Sequence, residues 1–291
     1  VLDYLARRFT YRDRDAWGER LAAGELRLNG IPARPDDVLA ADDVLSYHPG
    51  VLPEPPVDVA YRIAYEDDVL LVIDKPGDLP THPAGAFYRH TLWFMLTARF
   101  GPIHPVNRLD RETSGLLIVA KDARTAARMA RNAIEKSYLA LVFGDFAAPV
   151  DADGFLIPDD ASAVRKKRRF VFAPPDPAPD GTQTASTRLE PVKHHDDWTL
   201  VRAIPRTGRM HQIRATLCSL GFPLVGDKLY GPDDQLFLKI RDDRFTDDDR
   251  RRLVMPRQAL HAAQLRFRHP GSGETIEVAS PLPEDFPPVF R

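Results

Sequence analysis

The chain has 291 residues, 43% hydrophobic and 28% charged, with a formal charge of −2. That suffices for one large domain, or a large and a small one, and leaves any nucleic-acid contact to local clusters of Arg and Lys. The single cysteine, Cys218, excludes an internal disulfide and a cysteine-rich zinc site, so a reducing, cytoplasmic setting is expected.

Nor does any apolar stretch approach the ~20 residues needed to span a bilayer. Arg7 and Arg8 interrupt the first apolar residues, so no membrane segment and no secretory signal are expected.

Residues 1–50 read as a small separate unit. Val1, Leu2, Leu5 and Phe9 recur near helical spacing, and a second helical stretch runs through residues 17–21 and stops near Gly24. Leu26, Arg27 and Leu28 alternate as a short strand, Asn29-Gly30 supplies a tight hairpin turn, and residues 44–47 read as a closing strand. Pro49, Pro53, Pro55 and Pro56 fit neither a helix interior nor a central strand. Residues 51–57 therefore read as a stiff linker, and residues 58–291 as the main domain.

In that domain strands are expected to alternate with helices. The apolar runs 69–73 and 116–119 are buried-strand candidates, and Pro76-Gly77 ends the first. Residues 125–134 carry helical periodicity, and a strand is expected to begin at Tyr138 and run to 142. Residues 148–186, rich in Pro, Asp and Ala, read as a long loop carrying the basic run 165–169. Strands resume at 187–189 and 198–204. A helix is expected over 210–220 with Gly221 at its end, a charged exposed helix over 242–252, and a hairpin from 265–267 and 275–278.

Three clusters carry candidate chemistry. Asp110 stands between Arg108 and Arg111, followed by Glu112, Thr113, Ser114, Gly115 and a buried strand. Neighbouring cations favour an ionised carboxylate, and strand-end loops often hold catalytic groups, but a salt-bridged turn fits the same residues. Arg206, Arg209 and Arg214 flank a helix start with His211 and Gln212 between them, which suits a phosphate as well as it suits a solvated surface. Tyr138 by itself reads as half-buried packing. Arg165, Lys166 and Lys167 can neutralise phosphates, and Phe170 and Phe172 beside them can stack on bases or anchor the loop. His194 and His195 are adjacent, so their side chains point to opposite faces of a strand, and no metal is expected.

At these residues the sequence resembles the RluA-type family of pseudouridine synthases. The core match is Arg108-Leu109-Asp110-Arg111-Glu112-Thr113-Ser114-Gly115. Residues 68–76 (DVLLVIDKP), 135–141 (EKSYLAL), 207–214 (TGRMHQIR), 221–231 (GFPLVGDKLYG), 257–270 and 281–286 resemble further motifs of that family, in order. Asn107 stands where the family usually has His. Residues 1–50 resemble a small S-four-type RNA-binding module, best at 26–30, although they hold seven Arg against nine Asp and Glu.

The resemblance implies an α+β fold, a long mixed but mostly antiparallel sheet with flanking helices, plus a small α/β module. It implies isomerisation of uridine to pseudouridine in structured RNA, ribosomal or transfer, with no cofactor. Asp110 would be the catalytic carboxylate, Arg214 its ion-pair partner, and Tyr138 the base and stacking group. Arg108 would fill the space that the uridine leaves, and Arg111, Thr113, Arg209, His211, Gln212, Arg165, Lys166 and Lys167 would hold the RNA. A monomer is expected. Two other readings are an RNA-binding protein without turnover and a glycosyl hydrolase. The second would need paired carboxylates, with Glu112 as partner.

Overall fold

The computed structural model describes residues 1–10, 12–50, 53–233, 235–242 and 244–291. Val51 and Leu52 of the expected linker, and Asp243 of the expected charged helix, lie outside the described residues. The chain forms two compact units, Val1–Glu54 and Pro55–Arg291.

In the first unit, α1 (Leu2–Arg8) and α2 (Arg14–Ala22) pack on a three-stranded antiparallel sheet. Its strands are β1 (Leu26–Leu28), β2 (Ile31–Pro32) and β3 (Leu45–Tyr47), in the order β2-β1-β3. Asp13 starts α2 by accepting a hydrogen bond from the Ala16 N–H at 2.8 Å. Asn29 and Gly30 turn the hairpin with φ of 53° and 85°, the left-handed pair that matches strand twist. Leu5, Trp17, Leu21 and Leu26 form the core.

The second unit is built on an eleven-stranded sheet. Its elements are β4 (Arg62–Glu66), β5 (Leu70–Lys75), α3 (Leu92–Phe100), β6 (His104–Pro105), β7 (Ser114–Ala120), α4 (Ala123–Met129) and β8 (Ile134–Phe143). There follow β9 (Val150–Pro158), β10 (Arg168–Val171), β11 (Gln183–His195), β12 (Trp198–Pro205), α5 (Gln212–Ser219), α6 (Gln235–Arg241), α7 (Asp247–Leu253), β13 (Leu260–Arg268) and β14 (Thr275–Ala279). The strand order is β10-β9-β11-β12-β8-β13-β7-β5-β4, with β14 beside β13 and β6 beside β7. The β7–β13 pair is parallel and the others are antiparallel. The domain is thus α+β, with a mostly antiparallel sheet.

Alternation along β5 and β7 explains their unbroken apolar sequence. Leu71, Ile73, Leu117 and Val119 pack with Leu92 and Leu96 of α3 on one face. Leu70, Val72, Leu116 and Ile118 pack with Met129 of α4 on the other. Both faces are covered, so both sets of side chains are apolar. Farther along, Ile213, Ala215 and Leu217 of α5 pack against Ala152, Leu156 and Phe170 of β9 and β10.

Four expectations need correction. Residues 148–186 are not one loop: β9 and β10 form a hairpin there and β9 pairs with β11. Its Asp and Pro residues mask an alternation in which Ala152 and Leu156 are buried while Asp151 and Asp153 are exposed. The helix expected over 125–134 ends at Met129, and Ile134 already begins β8. Tyr138 therefore lies inside a strand, between Ala203 of β12 and Ala262 of β13, rather than at its start. The charged helix starts five residues later than expected, where Thr246 and Asp249 form a reciprocal capping box that buries Asp249.

Gly115 closes the loop that carries Asp110. Its φ is +103°, and a Cβ there would lie 2.3 Å from the Ala262 carbonyl oxygen across the parallel β7–β13 pair. Gly115→Ala is therefore expected to destabilise the domain by about 3 kcal/mol, a fall of roughly 10 °C in Tm. Thermal unfolding followed by circular dichroism checks this, and an unchanged Tm would show that the two strands can part without cost.

Candidate active site

The turn from Arg108 to Thr113 is held from several directions. The Thr81 hydroxyl donates to the Leu109 carbonyl at 2.8 Å and accepts from the Leu109 N–H at 3.3 Å. The Arg111 carbonyl accepts from the Leu79 N–H at 3.1 Å and from Lys75 Nζ at 3.0 Å. Arg257, itself paired with Asp285, donates to the Glu112 carbonyl at 3.0 Å. Gln258 donates to the Thr113 hydroxyl at 2.6 Å. Asn107, where the family pattern has His, accepts from the Ile118 N–H at 2.9 Å and so ties the turn to β7. Lys75 is only 1% exposed. Burial first, and Arg257 second, bring its pKa down to about 7.

Asp110 is placed by this turn against Arg214 of α5. Arg214 Nη1 donates to Asp110 Oδ2 at 2.7 Å. The rest of the guanidinium is gripped by Asp227, with Nε and Nη2 donating at 2.7 and 2.8 Å. Asp227 is fully buried and also accepts the Leu229 and Tyr230 N–H groups at 2.9 Å each. The guanidinium carbon stands 4.9 Å from the Tyr230 ring centre. A fork held at two points along one edge cannot swing, so Nη1 is aimed at Asp110.

The electrostatics follow. Burial works to raise the Asp110 pKa, but the Arg214 charge and hydrogen bond outweigh it and hold the carboxyl below its ordinary range. Burial opposes the Arg214 charge too, yet Asp227 and Asp110 together raise its pKa. His211 Nε2 lies 3.9 Å from Asp110 Oδ2, and its Nδ1 shares a hydrogen bond with the Tyr230 hydroxyl at 3.1 Å. Burial, then Arg214, lowers the His211 pKa to about 4, so its ring is neutral at pH 7. Tyr138 is pushed above the ordinary phenol value by burial and then by Asp110.

The Asp110 side chain is 26% exposed, and it opens on two adjoining cavities. One, about 590 Å³, is lined by Tyr138, Lys136, Thr113, Thr207, Arg209 and Met210 among others. The other, about 530 Å³, is lined by His82, Phe87, Arg111, Lys166, Lys228 and Phe237 among others. Arg108, Leu109, Asp110, His211 and Arg214 line both. Each is of a size that takes a small ligand.

The structure thus brings Asp110, Tyr138, Arg214, Arg108, Arg111, Thr113, Arg209, His211 and Lys166 around these cavities. Arg111 pairs with Asp78 at 3.1 Å and Glu112 at 3.3 Å. Arg209 Nε donates to the Thr184 carbonyl at 3.2 Å. Three other residues expected to face RNA have different surroundings. Gln212 is buried and spends its amide on Thr207, the Arg209 N–H, Ser186 and Thr187, so it braces its turn. Lys167 pairs with Asp159 at 3.5 Å, and Arg165 lines neither cavity. Of these three consecutive cations, which lie in the turn before β10, Lys166 alone lines a cavity shared with Asp110. Phe170 is in the core, whereas Phe172 is 58% exposed. Glu112 accepts from Lys228 at 2.5 Å and pairs with Arg111, so it is no free second carboxylate for a glycosyl hydrolase.

Sequence reasoning did not single out Asp227, Tyr230, Lys228, Lys75 or Gln258. All stand in stretches that carry the family resemblance, but no local chemistry distinguishes them from ordinary loop residues.

Residues 69–219 match the model of a family described as RNA pseudouridylate synthase. The chain is 30% identical to ribosomal large subunit pseudouridine synthase D of Vibrio cholerae, over 97% of this chain and 87% of that protein. It is 32% identical to tRNA pseudouridine(31) synthase of Saccharomyces cerevisiae, over 79% and 66% respectively. Among solved structures, human RNA pseudouridylate synthase domain containing 1 superposes with a TM-score of 0.61 at 26% identity, over 82% of this chain and 89% of that one.

Proposed function

The chain belongs to the RNA pseudouridylate synthase family and is an RNA pseudouridine synthase; on that premise we propose that Asp110 is its catalytic carboxylate and that ribosomal or transfer RNA is its substrate. The observation that carries this is the Asp110–Arg214–Asp227 arrangement, which keeps one carboxylate ionised at the mouth of a cavity walled by a tyrosine. The relatives named for large-subunit ribosomal RNA and for tRNA support the substrate class.

The reaction breaks the bond from ribose C1′ to uracil N1 and makes one from C1′ to C5. N1 gains a proton, C5 loses one, and no electrons are exchanged with any partner, so no redox cofactor is called for. An ionised Asp110 serves either as the nucleophile at C1′ or as the base at the adjacent ribose carbon. Arg214 cannot neutralise it by proton transfer, because the guanidinium pKa is itself raised. Arg108 is exposed at the rim of both cavities and forms no ion pair among the described residues. Its planar head suits the gap that an everted uridine leaves in its stack.

Tyr138 supplies the ring against which the uracil lies and the oxygen that accepts the C5 proton. Because its pKa is raised, the phenol is protonated in the resting enzyme; it gives that proton to N1 of the detached uracil and then, as a strong base, takes the one that C5 loses, so the phenol is restored at the end of the turnover. Tyr138→Phe keeps the ring and removes the oxygen. It is expected to lower kcat by about 10³-fold with KM within about threefold, a loss in the range of general acid–base catalysis. Tritium release from RNA labelled with [5-³H]uridine measures this directly, because the C5 hydrogen leaves as C5 bonds to ribose. A wild-type rate in Tyr138→Phe removes the phenol from the mechanism, and no release by the wild-type enzyme removes the proposal.

The Val1–Glu54 unit is read as an accessory RNA-binding module. The support is the resemblance at residues 26–30 and the cluster of Arg7, Arg8, Arg12 and Arg14 around its two helices. The enzyme is taken to act as a monomer in the cytoplasm; no helix among the described residues is long and apolar enough to cross a membrane.

A further inference from the structure

We propose that the cavity Asp110 shares with Lys166 and Phe237 seats the nucleotide next to the isomerised uridine, with Phe237 as its stacking platform and Lys166 as its phosphate contact. This rests on the reading of Asp110 given above. The two cavities meet along Arg108, Asp110 and His211. A uridine whose C1′ lies at Asp110 has a phosphate on either side of its ribose. With its base in the Tyr138 cavity, the chain continues along that shared ridge into the second one.

The second cavity has the make-up of a single-strand grip. Arg214 is committed to Asp110 and Asp227, Lys228 to Glu112, and Arg111 to Asp78 and Glu112. Lys166 and Arg108 form no ion pair among the described residues, so both are available to an anion. Lys166 Nζ stands 4.5 Å from the Phe237 ring centre, and Arg111 lies over Phe87 at 5.4 Å on another wall. Ile240, one turn beyond Phe237 on α6, is 40% exposed. A cation beside an aromatic face binds backbone and base together, whatever the base, since every base has a π-face. Burial, then Arg214, lowers the Lys166 pKa, as befits an ammonium short of solvent and of an anion.

The test compares wild type, Phe237→Leu, Phe237→Tyr, Lys166→Gln and Asp110→Asn on RNA labelled with [5-³H]uridine from cells lacking this gene. Phe237→Leu and Lys166→Gln are each expected to lower kcat/KM about tenfold, mainly through KM, the loss that follows removal of one stacking ring or one phosphate contact. Phe237→Tyr, which keeps the ring, is expected to stay within about twofold of wild type, since a stacking face survives. Lys166→Gln should also flatten the dependence of log kcat/KM on log salt by about 0.7, one single-strand phosphate contact.

The proposal is overturned if Phe237→Leu matches wild type, or if Phe237→Tyr is as impaired as Phe237→Leu, which would mark packing rather than stacking. An unaltered salt slope in Lys166→Gln overturns it alone, even if Phe237→Leu unfolds early. Turnover by Asp110→Asn instead defeats the catalytic reading on which the subsite rests, so the two failures are distinguishable.

Discussion

Asp110→Asn is expected to lower pseudouridine formation by about 10⁴-fold or more, the scale of loss when a nucleophile or its base is removed. The substitution is isosteric and takes away only the charge and the basic lone pairs. Arg214 would not be stranded, because Asp227 still engages two of its N–H groups. The stability cost should therefore stay below about 2 kcal/mol, nearer a lost hydrogen bond than a broken buried ion pair. Arg108 and Lys166 are untouched, so RNA affinity should hold within about threefold, as expected when only a transition-state interaction is lost. Tritium release, thermal melting and filter binding on the same preparation separate these effects. Turnover within a hundredfold of wild type would reassign the carboxylate.

The pH dependence has a definite sign. The folded-state pKa of Asp110 lies below the unfolded carboxyl value of 3.8. The stability contributed by its pairing with Arg214 is thus complete above 3.8 and declines only as pH falls from there toward the folded value. Activity should accordingly show no acid loss assignable to Asp110 in the neutral range. His211, with a pKa of about 4, is likewise already neutral there.

Asp227→Ala is the second large effect. The side chain is fully buried, holds two N–H groups of the Arg214 guanidinium and accepts two backbone N–H groups. Its removal leaves a buried cation with Asp110 as its remaining carboxylate, and two N–H groups lose this acceptor. Breaking a buried pair from one side costs about 3–5 kcal/mol, which corresponds to a Tm lower by roughly 10 °C in a domain of this size. Arg214 would also lose its fixed direction, so turnover should fall at temperatures where the variant remains folded. Melting curves and single-turnover rates at 20 °C or below test both statements. A variant with wild-type Tm and rate would show that Arg214 needs no second partner.

Much of the fold is legible because it depends on short-range pattern. The apolar runs of β5 and β7 announce strands covered on both faces, Asn29-Gly30 announces the first hairpin, and Gly221 marks the end of α5. In β9 the pattern was hidden. Its buried positions are occupied by small Ala152 and by Leu156, while Asp151 and Asp153 on the other face gave the segment the composition of a loop. Its strand character comes from pairing with β11, some thirty residues later.

Of the site, the sequence by itself determined the candidate groups: an aspartate, a tyrosine and arginines in motifs whose order identifies the family. Their working arrangement was decided only in three dimensions. The Asp110–Arg214 bond spans 104 positions, and it is aimed by Asp227, in which no local pattern reveals a role. The parallel β7–β13 pair brings residues 257–262 behind the Asp110 turn, where Arg257 and Gln258 fix its backbone. The choice of Lys166 over Lys167 as the cation beside Asp110 was made by the same long-range packing. Periodicity reports which face of an element is buried, since that is a property of neighbouring residues. Which distant element covers that face, and which charge meets which, depends on how the whole sheet closes around its core.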